Sequence, residues 1–525
     1  MDQEFNARSG RVVFKPYAQN QIMLLPPCLE DFIPEKHLVR IVNQVIEGID
    51  LSLLERSYAG GGASSYHPKM MLKVLIYAYC TKIYSCRNIA RELGQNVHFM
   101  WLAAQQRPDF RTINNFRSGA MKELIEKVFG KVLDFLMEQG YVKMESYFVD
   151  GTKMRADANK SSHVWAKNTK RYKEGVQKKI CDLFEEIDKI NREEDERYGE
   201  KNLEEYGEDS QVDQAAIIKK VEELNKAIKQ VRERGDKKKY RSIQSKQRQL
   251  QQQKEKLTKY EKQQQVLNGR NSYSKTDKDA TFMRLKDGQL MPAYNVIQGT
   301  ENQFIVNYTI HQTASEVGDF VPHMRHLSKY TYKMPKNVIG DAGFGSEENY
   351  DYLKAEKISN YLKYSGFYFE QSKKYKENRF HKDNFQYNKK NDQFICPNRQ
   401  ILDFDYQTTK TSKSGYKNTI RVYKSRGCAD CPMAHLCKKG VGDRTIKFSP
   451  DFEKYKRIVK EKLKTTDGIR LRKQRGVDVE TPFGDIKYNM GYSRFRLRGL
   501  EKVNIEWGLL SIAHNLRKVQ IKMVE

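Results

Sequence analysis

The chain has 525 residues, with 95 lysines and arginines against 67 acidic residues and a formal net charge of +28. At roughly 100–200 residues per domain, that length allows several domains and a large core. The basic excess points to a polyanion, either nucleic acid or an anionic membrane surface. The membrane is the weaker reading: no apolar run approaches the ~20 residues of a spanning helix, and even Met70 to Tyr79 is short and broken by Lys73. The opening Met1-Asp-Gln-Glu-Phe5 is not that of a signal peptide. A reducing cytoplasm is therefore expected, with the eight cysteines as thiols or metal ligands rather than disulfides.

Charge accumulates along the chain: +2 over residues 1–150, +9 over 151–300 and +17 over 301–525. Residues 1–140 read as helical. Leu72, Leu75, Ile76 and Tyr79 share one face after Pro68, which suits a first helical turn. A second helix carries Ile89, Ala90 and Leu93, with Ser85 as its cap and Gly94 at the left-handed C-terminal position. A third begins near Thr112, with Ile113 and Phe116 inward and Arg111, Asn114, Asn115 and Arg117 outward. This pattern fits a helix-turn-helix-like DNA reader, and equally a helical bundle with solvated polar faces. A β-rich run, Ser146 to Asp150, supplies a strand within 141–160.

Residues 161–272 read as an insertion rich in charge and glutamine. Net charge is −9 over 181–210 and +10 over 211–270, and Ile217, Val221, Leu224, Ile228 and Val231 are spaced like heptads. Two long helices folded back on each other are expected, as a dimerisation or DNA-contacting arm, a solvated hairpin or a linker. The period then switches to two. Ala280 to Gln298, Phe304 to His311, Asn337 to Asp341 and Ile358 to Tyr364 read as strands, Glu316 to Ser328 and Glu347 to Ala355 as helices. With the strand before the insertion, this makes a mixed sheet with helices over 273–366.

Two of these strands end alike, in Tyr147-Phe-Val-Asp150-Gly-Thr-Lys153 and Asn337-Val-Ile-Gly-Asp341-Ala-Gly-Phe-Gly345. In neighbouring strands both carboxylates would enter the crevice at the carboxyl edge of the sheet, the usual ligand position. Mg²⁺ takes one or two such carboxylates and leaves the rest of its shell to water and phosphate. Singly, each aspartate is also a turn former; the matched pair beside so basic a chain favours a site. A third carboxylate lies in Arg475-Gly-Val-Asp478-Val-Glu480-Thr-Pro482-Phe-Gly-Asp485-Ile-Lys487. Pro482 puts Glu480 at a helix start or kink, with Asp478, Asp485 and Glu506 as possible substitutes.

In these contexts, followed by Arg494-Phe-Arg-Leu-Arg498-Gly and Glu506-Trp-Gly-Leu-Leu-Ser-Ile-Ala-His514-Asn-Leu, the order Asp150, Asp341, Glu480 resembles that of bacterial insertion-sequence transposases of the DDE type. The likeness covers most of the chain and is least specific in the long insertion. It implies a ribonuclease H-like catalytic domain in which these three residues bind two Mg²⁺ or Mn²⁺ ions. Two ions about 4 Å apart can activate the attacking oxygen and stabilise the leaving one at phosphorus. The implied substrates are the terminal inverted repeats of the element and target DNA, with a homodimer on DNA in the cytoplasm, at the nucleoid. Arg475, Lys487, Arg494, Arg496 and Arg498 are candidate phosphate contacts near the scissile bond, and Arg111, Asn114 and Arg117 candidate contacts from the helical region. A hydrolytic nuclease and a non-catalytic DNA-binding regulator are the alternatives.

Cys396, Cys428, Cys431 and Cys437 cluster within 367–447. A C-x2-C pair with two further cysteines fits a closed, structural tetrahedral zinc, with His435 as an alternative ligand. Cys28, Cys80 and Cys86 are expected to pack as small apolar residues. Val503 to Val519 reads as a core helix within 448–525, with Trp507 buried and His514 and Asn515 available as second-layer partners of the metals. The expected class is an α+β or α/β multidomain chain: an all-helical amino-terminal region, a ribonuclease H-like mixed sheet, a helical insertion and a small cysteine-rich insertion.

Overall fold

In the computed structural model, residues 28–50, 52, 65–198, 214–233, 237–331, 333–438, 440 and 442–524 are described. The opening Met1 to Phe5 and the acidic stretch beyond Tyr198 lie outside them. The described part mixes helix and sheet. Before residue 140 the described α-helices are α1 (Leu38–Glu47), α2 (Pro68–Cys80), α3 (Cys86–Glu92), α4 (Val97–Leu102), α5 (Phe110–Ser118) and α6 (Met121–Glu138), and no strand is found among the described residues there. Pro68 takes the first turn of α2, as its spacing predicts. Ser85 precedes α3 without a side-chain cap bond, and Gly94 is not left-handed: the helix ends through a right-handed Leu93. Asp109 caps α5 instead, accepting from the Thr112 N–H at 2.7 Å.

Strand β1 (Ser146–Arg155) is followed by a short β2 (His163–Trp165), then α7 (Ala166–Tyr198), α8 (Gln214–Glu233) and α9 (Lys237–Leu267), then β3 (Ser272–Ser274). The insertion therefore holds three described helices rather than the expected two. Ile217, Leu224 and Val231 on α8 and Ile243, Leu250 and Leu257 on α9 repeat every seven residues and are buried together with Val176, Ile180, Phe184 and Ile187 of α7. β2 and β3 pair antiparallel, Val164 against Tyr273, and tie the two ends of the insertion together.

The main sheet adds β4 (Thr281–Arg284), β5 (Leu290–Glu301), β6 (Phe304–His311), β7 (Asn337–Gly340) and β8 (Ser359–Leu362) to β1, with α10 (Phe320–Leu327) and α11 (Glu347–Ala355) between the later strands. Its order is β4-β5-β1-β7-β8, with β6 also on β5. β1 is antiparallel to β5 and parallel to β7, and β7 is parallel to β8. A second, five-stranded antiparallel sheet follows: β9 (Gln386–Asn388), β10 (Gln393–Ile395), β11 (Ile401–Thr411), β12 (Lys417–Ser425) and β13 (Thr445–Phe448). The chain closes with α12 (Pro450–Lys464), α13 (Thr466–Gly484), a π-helical turn (Asp485–Asn489) and α14 (Leu500–Val524).

α14 is buried nearly all round from Ile505 to Leu516, because β6 covers one side and α2 and α6 another. The amino-terminal helices thus share one continuous core with the main sheet. Trp507 is fully buried in it. Of the cysteines expected there, Cys80 and Cys86 are buried but Cys28 is exposed. Among the described residues no helix is long and apolar enough to cross a membrane.

Candidate active site

β1 and β7 run parallel from Ser146 against Asn337 to Val149 against Gly340. The next residue of each is an aspartate, so register alone sets Asp150 beside Asp341. Asp341 follows the end of its strand as expected. Asp150 does not: β1 continues to Arg155 because Gly151 to Arg155 keep their antiparallel pairing with β5. The carboxylates meet where β7 stops, which still leaves them at an open sheet edge.

Helix α13 brings Arg475 to this point, its guanidinium 3.1 Å from Asp150 Oδ1 and 4.0 Å from Asp341 Oδ2. Burial pushes the Asp150 carboxyl upward, Arg475 pulls it back and Asp341 adds to the rise. Glu316 enters from the loop before α10. Burial, then Asp341 and Asp150, push its carboxyl up to about 7. Lys487 donates to Thr152 Oγ1 at 2.5 Å, two residues beyond Asp150. Burial and Lys286 bring its ammonium down to about 8, against the pull of Asp150.

Glu480 is exposed on α13, with no hydrogen bond or ion pair to another described residue. It is mid-helix rather than at a start: α13 runs on through Pro482 and gives way to the π-helical turn just beyond. Proline supplies no N–H to the ladder, and the wider turn takes up the lost bond. The three possible substitutes are engaged elsewhere. Asp478 accepts from the Gln303 N–H and Gln474, Asp485 pairs with His514, and fully buried Glu506 accepts from the N–H groups of Arg496 and Leu497. His514 and Asn515 bond Gln303 and Ile305, tying α14 to the sheet.

The candidate DNA contacts divide. Arg494 and Arg498 are exposed and lie on Asp157, at 3.9 and 3.0 Å. Exposed Arg496 stacks over Tyr84 and Tyr492. Arg111 and Asn114 are on the open face of α5. Arg117 is not available outward: it is 6% exposed and donates to the Tyr84 carbonyl and Asn114 Oδ1. Buried Glu506 feels its charge, and a buried carboxylate needs a cation nearby.

Cys396, Cys428, Cys431 and Cys437 line one small cavity, from which His435 is absent. Three of the sulfurs accept N–H groups: Cys396 from Gln400, Cys428 from Arg444 and Cys431 from the Asn398 amide, at 3.3–3.4 Å. Burial raises the Cys437 thiol, with the other three thiols adding to it. Neither here nor in the crevice do three His, Cys, Asp or Glu side chains among the described residues converge as a ready metal site. In the crevice the Arg475 guanidinium balances the aspartates instead. The donors there are nonetheless hard oxygens, the chemistry Mg²⁺ and Mn²⁺ prefer.

Two adjacent carboxylates on a mixed sheet, flanked by basic side chains, are the donor set that metal-assisted chemistry on phosphodiesters uses. Comparison with known families gives the particular kind. A transposase DDE domain matches residues 395–520 and a transposase domain (DUF772) matches residues 27–119. No match was found among curated proteins. The two matches support a DDE transposase of the insertion-sequence kind, a polynucleotidyl transferase that acts on DNA. Such transposases work with divalent metal ions such as Mg²⁺. The matched DDE stretch holds Arg475, Glu480 and Lys487; Asp150 and Asp341 lie outside it.

Proposed function

We propose that residues 141–160, 273–366 and 448–525 form a ribonuclease H-like core in which Asp150, Asp341 and Glu480 hold two Mg²⁺ or Mn²⁺ ions, and that this core cuts and joins the ends of the protein's own insertion sequence. The observation that carries the reading is the register of β1 on β7, which makes Asp150 and Asp341 neighbours on the central strands of a mixed sheet. Bound divalent ions supply Lewis-acid activation and charge neutralisation for in-line displacement at phosphorus.

The chain's own residues then have distinct work. Asp150 and Asp341 anchor the ions, and Glu480 reaches them from α13. Arg475 and Lys487, which now bond Asp150 and Thr152, would hold a phosphate of the DNA backbone beside these carboxylates. Arg494, Arg496 and Arg498 carry the adjoining backbone past the neck of the helical insertion. Water first frees a 3′-hydroxyl at the element's end, and that hydroxyl then attacks target DNA. No covalent protein intermediate is required.

Residues 1–140 contribute DNA recognition, with Arg111 and Asn114 on the exposed face of α5, and the working form on DNA is a homodimer at the nucleoid. Residues 367–447 hold a structural zinc on Cys396, Cys428, Cys431 and Cys437. The shared cavity and the N–H bonds to sulfur support this. Metal analysis should find about one zinc per chain, and zinc-free folded protein would refute it.

The test of the active site is cleavage of terminal DNA by Asp150→Asn and Asp341→Asn variants in Mg²⁺. Metal-dependent cutting by either variant would overturn the assignment. Strand joining from a pre-cut end separates a transposase from a hydrolytic nuclease, and DNA binding without Mg²⁺-dependent cleavage would mark a regulator.

A further inference from the structure

We infer that Glu316 is a further working carboxylate of this site, contributing an oxygen to the divalent cation that Asp150 and Asp341 hold. The inference rests on the proposed role of those two aspartates and goes beyond it, since no reading of the sequence points to Glu316.

The geometry is specific. A Cβ placed on Gly151 would lie 2.3 Å from Glu316 Oε1, and one placed on Gly343 would lie 3.0 Å from both Glu316 Oε2 and Asp341 Oδ1. Those last two oxygens are therefore within about 6 Å of each other, the sum of two contacts to one point. Glu316 thus lies in a slot bordered by the residue after Asp150 and the second residue after Asp341, both glycines, and its present position needs the first of them to lack a side chain. A side chain at 151 would displace it, and one at 343 would crowd it.

Among the described residues no donor is bonded to that carboxylate. No hydrogen bond or ion pair joins it to another described residue, whereas Asp150 and Asp341 both have Arg475 within 4.0 Å. Three carboxylates share a half-buried crevice, and Arg475, with Lys153 near Glu316 and Lys286 and Lys487 near Asp150, screens them without bonding Glu316. Such an arrangement is costly unless a cation completes it. The alternative, that Glu316 only shapes its loop, leaves the missing partner unexplained: a structural glutamate would accept backbone N–H groups, as Glu301 does from Lys143 to Ser146.

The experiment uses the full chain without DNA. Mn²⁺ affinity is measured by titration calorimetry for the wild type, Glu316→Gln, Glu316→Ala, Asp150→Asn and Glu480→Gln, with thermal unfolding as the control for folding. Fe²⁺-directed hydroxyl-radical cleavage maps which backbone segments lie at the bound ion. The expected result is Mn²⁺ binding at least about tenfold weaker in both Glu316 variants, with Tm unchanged or raised, and backbone cuts near 316 as well as near 150 and 341. Wild-type affinity in a folded Glu316 variant overturns the inference. If Asp150→Asn is weakened at the same time, only the inference falls; if Asp150→Asn also binds as wild type, the reading of the site falls with it.

Discussion

Two polar clusters lie against β1, and they differ in one respect that separates architecture from function. Tyr147 and Asp150 are three residues apart, so they point to opposite faces of the strand. On the first face, the Tyr147 hydroxyl and His323 Nε2 are 2.6 Å apart, Thr309 meets His323 Nδ1 at 2.8 Å, and Asn307 donates to the His323 carbonyl at 2.8 Å. His311 continues the chain to Thr309 and lies on Asp319. On the other, Asp150, Asp341 and Glu316 repel one another around Arg475, whose buried Nε has no partner among the described residues. A satisfied network is a means of holding strands and helices in place; an incomplete one of like charge awaits a ligand.

The comparison breaks most visibly through substitutions that should dissociate activity from stability. Asp150→Asn should lower Mg²⁺-dependent cleavage by at least about 10³-fold, about 4 kcal/mol of barrier, while calorimetry finds the protein no less stable. His323→Ala should do the reverse. It leaves Tyr147 and Thr309 unpartnered in the core and costs about 3 kcal/mol of stability, with cleavage per folded molecule retained. A Tm loss in the first variant, or none in the second, would dissolve the distinction.

A smaller effect is expected from Lys487→Met. It should slow cleavage by about 10–100-fold and reduce the slope of log affinity against log salt by about one, the signature of one lost phosphate contact. An unchanged slope would make Lys487 a prop for Thr152 rather than a DNA contact.

The gentlest test is pH. Burial holds His323 well below its ordinary range and brings His311 down to about 4. As pH falls below about 6.5, the unfolded chain takes up protons that the folded one refuses, and stability declines. Asp319, raised to about 6 mainly by burial, acts oppositely, because the folded chain takes up its proton first. Glu316, raised to about 7, acts in the same sense, so the two carboxyls offset about two histidines and the wild-type profile should be shallow between about pH 6 and 5. Glu316→Gln should expose a net loss near one proton, about 1.4 kcal/mol per pH unit. Denaturant titrations across that range measure it, and a profile of that variant that does not fall toward acid would place the histidines in contact with water.

The pairing of the two aspartates was legible because motif and strand context coincide. Asp150 and Asp341 follow β-rich runs and precede small residues, and Arg475 and Lys487 flank Glu480 in one short block. Glu316 was not legible: it belongs to no repeat, and only the approach of its loop to Gly151 and Gly343 reveals it. Arg117 misled for the opposite reason. Polar residues on a helix are assigned to water by default, but the Tyr84 carbonyl takes this one's guanidinium inside the fold, where Tyr79, Cys86 and distant Glu506 favour its charge. The second sheet escaped notice because β11 is exposed along most of its length and so lacks the alternation that marks a half-buried strand.

The sequence by itself determined the chemistry on offer: a basic chain, two strand-borne aspartates, a clustered set of four cysteines, heptads in the insertion and a terminal core helix. These are local signals, set by residue type and period. Tertiary structure decided which of them meet. The parallel register of β1 on β7 joined Asp150 to Asp341, the packing of α14 fused the amino-terminal helices to the sheet, and two glycines admitted Glu316. Register and close approach depend on how distant surfaces pack, and no window of sequence contains both surfaces.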